Sequence, residues 1–149
     1  MKGFIIAMLL ALALRVYPDT IRDFSFFATT DNYEIYAGGV VTYNVAIHEL
    51  DAGKLEPITM TCTGVPQGAT CTVTPNVKTD KSLGDPEVII TTNPWHAPRG
   101  WRGLMYASYH KASYVPTPPG EYLLTLTGTN PSGLQHTAKL HIVVYYDED

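Results

Sequence analysis

Residues 57–75 read PITMTCTGVPQGATCTVTP. Two runs in this stretch, Ile58–Thr63 and Thr70–Thr74, alternate threonine with a less polar residue, the period of a strand with one buried face. Parity places Ile58, Met60 and Cys62 on one face of the first run, and Cys71 and Val73 on one face of the second. Between them lies GVPQGA (residues 64–69), rich in turn formers. The stretch therefore predicts a half-buried β-hairpin with a Cys62–Cys71 disulfide pinning its mouth. The alternative for the cysteines is a pair of reduced core thiols; without a histidine pair beside them they make a poor zinc site. A disulfide belongs to an oxidising compartment.

At 149 residues the chain has the length of one domain, or of one domain plus an appendage. Its hydrophobic content of 45% is enough for a core, and its formal net charge is −4. That balance leaves no general basic face for phosphates, so nucleic acid is not an expected partner. Tyrosine is abundant at 10 residues, while only 16% of the chain is charged. With threonine and valine crowding the apolar runs, this is the composition of a β-sandwich rather than of a helical protein.

Further strand candidates flank the opening stretch: Phe24–Thr29, Val40–His48, Val88–Thr92, Tyr122–Thr127 and His136–Tyr146. Alternation turns Val41, Tyr43, Val45 and Ile47 inward on the second of these, and Tyr122, Leu124 and Leu126 inward on the fourth. Turn signals at residues 37–39 and 130–133 and a polar loop at 78–86 separate them. The expectation is an all-β chain of about seven strands in an antiparallel sandwich.

Three segments then carry a resemblance. AGGVVTYNVAI (37–47), ITMTCTGVPQGATCTVTP (58–75) and PPGEYLLTLTGTNPSGLQHTAKLHIVV (118–144) resemble, in order, the immunoglobulin-like repeat domains of bacterial surface and secreted proteins. Such domains read as a Gly-rich turn before a T-Y-x-V strand, a strand running into a G-L/V-P-x-G-A/V-T turn, and P-x-G-x-Y-x-L-T-V-T-G-T before the last strand. The resemblance covers residues 24–144 and implies an immunoglobulin-like sandwich with a non-enzymatic structural, adhesive or accessory role. Here the cysteine pair is expected within one hairpin, unlike the cross-sheet pair of antibody domains.

The first 20 residues are MKGFIIAMLLALALRVYPDT, apolar from Gly3 to Leu14 after Lys2. The run is too short to span a bilayer alone. One reading is a secretory signal cut after Ala13. A second rests on a resemblance to a type IV prepilin leader, cleaved after Gly3, although Met8 stands where that family has Glu. A third is a retained anchor or core helix. All three export the protein. A retained helix would form an assembly segment through Phe4, Ile5, Ile6, Met8, Leu9 and Leu10, with residues 4–14 touching membrane before assembly.

The family has a short link where this chain inserts NPWHAPRGWRGLMYASYHKASYVPTPP, residues 93–119. The insertion carries both tryptophans of the protein. From residue 94 to 116 it has three basic residues, Arg99, Arg102 and Lys111, and no acidic one; the remaining chain carries 7 Lys/Arg against 14 Asp/Glu, a net −7. Loops this long are usually functional, and Trp, Tyr and Arg are the residues that make interface hot spots. Trp95, Arg99, Trp101, Arg102, Tyr106, Tyr109 and Tyr114 are therefore the candidate contact surface. Its partner would be copies of the chain or other surface subunits, or else a glycan; a self-packed cover over the sandwich is the alternative.

Catalytic patterns are missing from the sequence: there is no G-x-S-x-G, no H-E-x-x-H, no Gly-rich phosphate loop and no C-x-x-C. His136 and His141, five apart on one strand, fall on opposite faces. No metal site, cofactor or enzymatic activity is expected. The expectation is an extracellular structural or adhesive subunit assembling into a pilus-like filament, with a secreted binding module as the alternative.

Overall fold

The computed structural model describes residues 23–50, 55–80, 84–96 and 114–146, and no helix among them is long and apolar enough to cross a membrane. The readings of residues 1–20 lie outside the described residues.

Nine strands form among the described residues: β1 (Phe24–Thr29), β2 (Glu34–Tyr36), β3 (Val40–Glu49), β4 (Ile58–Thr63), β5 (Ala69–Thr74), β6 (Val77–Lys78), β7 (Glu87–Thr92), β8 (Gly120–Thr129) and β9 (Gln135–Tyr145). They make two sheets packed as a sandwich, one ordered β1-β3-β7-β5 and the other β2-β9-β8-β4-β6. The seven predicted strands all form, within two residues of their expected limits. The short β2 and β6 are additions. Every ladder is antiparallel except β2–β9, which is parallel and pairs Tyr36 with Tyr145.

The predicted hairpin does not form. Strand β4 pairs with β8 and β6, whereas β5 pairs with β7 in the other sheet. The Gly64–Ala69 connection crosses between layers instead of turning within one. Alternation reports which face a residue occupies, not which strand lies beside it. The facing itself was read correctly: Ile58 and Met60 are buried, with Cys62, Cys71 and Val73 packed at the core's margin. The cysteines are bonded, with Cα atoms 6.2 Å apart, and the bond joins the two sheets. It is thus a cross-sheet bridge, as in antibody domains, though on different strands.

The core between the sheets is built from Val41, Tyr43 and Val45 on β3, Val88 and Ile90 on β7, Leu124 and Leu126 on β8, and Leu140, Ile142 and Val144 on β9, closed by Phe24, Ile58 and Met60. Two tyrosine hydroxyls tie polar backbone into it. Tyr43 donates across the sandwich to the His141 carbonyl, and its burial pushes its pKa up. Tyr122 donates to the Pro118 carbonyl, 2.7 Å away and four residues earlier, fixing the entry into β8.

Candidate interaction surface at the insertion

The insertion leaves the sandwich at the end of β7 and re-enters at the start of β8, and both ends are clamped. Thr92 is buried; its N–H donates to the Gly39 carbonyl at 3.0 Å, and its hydroxyl accepts from the Gly38 N–H at 3.0 Å. The Asn93 N–H is shared between the Gly68 carbonyl and the Thr117 hydroxyl, each at 2.9 Å. The Asn93 side-chain amide donates to the Val115 carbonyl at 2.8 Å. Thr117 is fully buried, and its N–H returns to the Asn93 carbonyl at 3.4 Å. Such bonds in a partly dry setting hold the two stems beside each other.

Glycine makes the closeness workable at one point. Gly68 adopts φ +69°, and a Cβ there would stand 2.5 Å from the carbonyl carbon and oxygen of Pro116. Only a residue without a side chain lets the returning stem pass so near. Further out, the Tyr114 hydroxyl donates to the Pro94 carbonyl and lies 3.3 Å from that of His96. Tyr114 is thus used in part to hold the stems together.

Trp95 is half-buried against the core and sets its ring edge-on to Tyr146, centroids 5.5 Å apart. Tyr36 and Tyr145, paired on β2 and β9, lie with ring centroids 6.2 Å apart. These tyrosines are open to solvent: Tyr36 is 62% exposed, Tyr145 45% and Tyr146 59%. The foot of the insertion therefore adjoins an aromatic patch at the β2–β9 edge. Of the candidate contact residues, the structure places Trp95 and Tyr114 at this foot. Arg99, Trp101, Arg102, Tyr106 and Tyr109 lie outside the described residues. Tyr36, Tyr145 and Tyr146 were not singled out in the sequence, because only the parallel β2–β9 pairing brings them to the insertion.

Two histidines sit elsewhere, each beside a carboxylate. His136 Nε2 is 2.8 Å from Asp23, whose carboxyl is held below its ordinary value by that contact first and by the Phe24 N–H second. His141 Nε2 is 2.6 Å from Glu121 on the outer face. Among the described residues no three His, Cys, Asp or Glu side chains are grouped to hold a metal ion.

No protein-family model matches the chain, and no curated protein matches it. Solved structures give distant likenesses. A lipoprotein from Bacteroides thetaiotaomicron aligns with 81% of this chain and 79% of its own at 9% identity, TM-score 0.47. Domains 4 and 5 of the S-layer protein SbsC align at 13% identity over 83% of this chain and 53% of theirs, TM-score 0.42. The cohesin module of a Clostridium perfringens family 33 glycoside hydrolase aligns at 9% identity over 83% and 98%, TM-score 0.33. No family assignment follows.

Proposed function

We propose that this chain is an exported, non-enzymatic module of immunoglobulin-like type whose insertion is its principal contact surface. The strand order β1-β3-β7-β5 against β9-β8-β4 matches the two sheets of a constant-type immunoglobulin sandwich, and Tyr122 supplies the hydroxyl-to-backbone bond common at the corner before the penultimate strand. The cross-sheet disulfide supports an extracytoplasmic site of action.

The observation that carries the reading is the clamp. A 27-residue segment, 93–119, rich in Trp, Tyr and Arg, is held at both stems by Thr92, Asn93, Tyr114 and Thr117. Anchored stems lower the ordering cost of presenting a contact loop. The insertion's net +3 against −7 elsewhere favours a head-to-tail contact between identical copies, which builds a filament unless the rotation closes a ring. A pilus-like structural subunit is the form of this function we favour.

Excising residues 97–113 and bridging His96 to Tyr114 with a short Gly-Ser link tests it, because the clamp is retained. The expected product melts near the parent temperature and self-associates more weakly in sedimentation velocity. A variant that folds and assembles like the parent refutes the reading. Trp101→Ala is expected to weaken association by about 2 kcal/mol or more with the fold unchanged.

A further inference from the structure

Among the described residues no strand pairs on the outer side of β1 or β5, the terminal strands of the four-stranded sheet, and their open groups match. We propose that copies of this chain join by pairing the β5 edge of one with the β1 edge of the next, making one continuous antiparallel sheet. This rests on the reading that copies assemble, and adds a contact separate from the insertion.

The hydrogen-bond alternation fixes which groups are open. Asn93 donates to the Gly68 carbonyl, so Ala69–Thr92 is a non-hydrogen-bonded pair, and the bonded pairs are Thr70–Thr91, Thr72–Ile89 and Thr74–Glu87. The backbone N–H and C=O groups of Ala69, Cys71 and Val73 therefore point away from β7. On β1, Leu50 donates to the Asp23 carbonyl, so Phe24–Glu49 is the non-bonded pair, and Ser25, Phe27 and Thr29 bond β3. Phe24, Phe26 and Ala28 then point to the open side.

Each edge has its first N–H already occupied. The Phe24 N–H donates to the Asp23 carboxylate at 2.8 Å, and the Ala69 N–H to the Pro66 carbonyl at 3.2 Å. That leaves Phe26 and Ala28 on β1, and Cys71 and Val73 on β5. Both sets are spaced two residues apart.

Direction fits as well. Neighbours in β1-β3-β7-β5 all alternate, so β1 and β5 run opposite ways within one copy. A second copy in the same orientation sets its β1 antiparallel to the first copy's β5. Phe26 then faces Val73 and Ala28 faces Cys71, each pair exchanging both backbone bonds. In this register Phe27, 51% exposed, lies beside Thr72 of the neighbour and loses water.

Composition agrees. FSFFAT and ATCTVT are each six residues long and hold no charge and no proline. In the other sheet the terminal strands are short, β2 with three residues and β6 with two, one of them Lys78, and the part of β9 beyond β2 carries Lys139. A two-fold β5–β5 pairing would leave the β1 edge bare in every copy, whereas β5–β1 pairing covers both.

The test uses the full-length, disulfide-bonded chain. Val73→Pro and Ala28→Pro each remove an N–H that bonds no neighbouring strand, so the fold should survive while pairing is blocked. Both variants are expected to show native circular dichroism and at least tenfold weaker self-association by sedimentation. In the parent, hydrogen exchange at Phe26, Ala28, Cys71 and Val73 should slow as concentration rises; this readout decides the matter if a proline variant fails to fold. Unchanged assembly in both folded variants overturns the proposal, as does a parent monomeric at every concentration. Loss of assembly in Val73→Pro alone points to β5–β5 pairing and also overturns it. If the 97–113 excision assembles as strongly as the parent with these amides protected, the edge contact stands and the insertion reading falls. If the parent assembles with these amides unprotected, the edge contact falls and the insertion reading stands.

Discussion

Replacing both cysteines, Cys62→Ala with Cys71→Ala, removes the disulfide cross-link between the sheets. The bonded residues are 9 apart, so the bridge closes a loop of about 10 residues. Loop-closure entropy for that length gives about 2.7 kcal/mol of stabilisation by restricting the unfolded chain. Both side chains pack against the core's margin. Losing the sulfurs adds roughly 0.5–1 kcal/mol through lost contact. The expected loss is therefore about 3–4 kcal/mol. Equilibrium unfolding in urea, followed by far-ultraviolet circular dichroism, measures it. The m-value should rise as well, since an uncrosslinked chain exposes more surface on unfolding. Parent protein unfolded in excess reductant should show most of the same loss. The position of the bond makes a finer prediction. Within a hairpin it would reinforce a ladder that backbone bonds already hold, whereas across layers it restrains β4 against β5. Amide exchange should therefore quicken on both strands in the variant, each in a different sheet. A loss under about 1 kcal/mol, with the parent's bond verified by thiol counting, would refute the reasoning.

Two further outcomes are expected. The Asp23 carboxyl is held below its ordinary 3.8 by His136 and the Phe24 N–H, so its stabilising contribution is present above that value and lost as pH falls through the lowered native one. Asp23→Asn should lower the melting temperature at pH 7, and the gap from the parent should close below about pH 4; a gap independent of pH would show that the carboxylate's charge is not involved. Gly68→Ala combines a positive φ with a Cβ 2.5 Å from the Pro116 carbonyl, so either the fold loses about 2 kcal/mol or more or the Pro116 stem shifts; unchanged stability together with unchanged exchange at Asn93 and Thr117 would contradict the close approach.

The faces of the strands were legible from sequence because side-chain parity is a local property. Val41, Tyr43, Leu124 and Leu126 were expected inward and are buried. The cysteine bond was legible from shared inward parity and short spacing. Partners were not legible. Ile58–Thr63 and Ala69–Thr74 look like neighbours because they are adjacent in sequence, yet β8 and β7 offer each a ladder of five or more residues in opposite sheets. Strands β2 and β6 were missed because three and two residues show no periodicity. At the site, composition singled out Trp95 and Tyr114. The clamp was beyond composition, because Thr92 meets Gly38 and Asn93 meets Thr117 only after distant segments come together.

The clamp also separates two roles that one segment could have confused. Among the described residues the hydrophobic core runs from Phe24 to Val144 without a member from residues 93–96 or 114–119; Trp95 packs only at its margin, and the buried Thr117 serves the clamp. The sandwich closes on its own apolar layers, and the stems are tied down by backbone and short polar side chains. An insertion held this way can change its aromatic and basic residues without altering the core. The same economy applies at the open edge of β5. That strand is braced by β7 on one side and by the disulfide from β4 beneath it. A braced edge loses little further entropy when a strand is added, so its few backbone bonds count nearly in full. If copies pair through β5 and make a second contact through the insertion, substitutions in β5 and in the insertion beyond its stems should have additive effects.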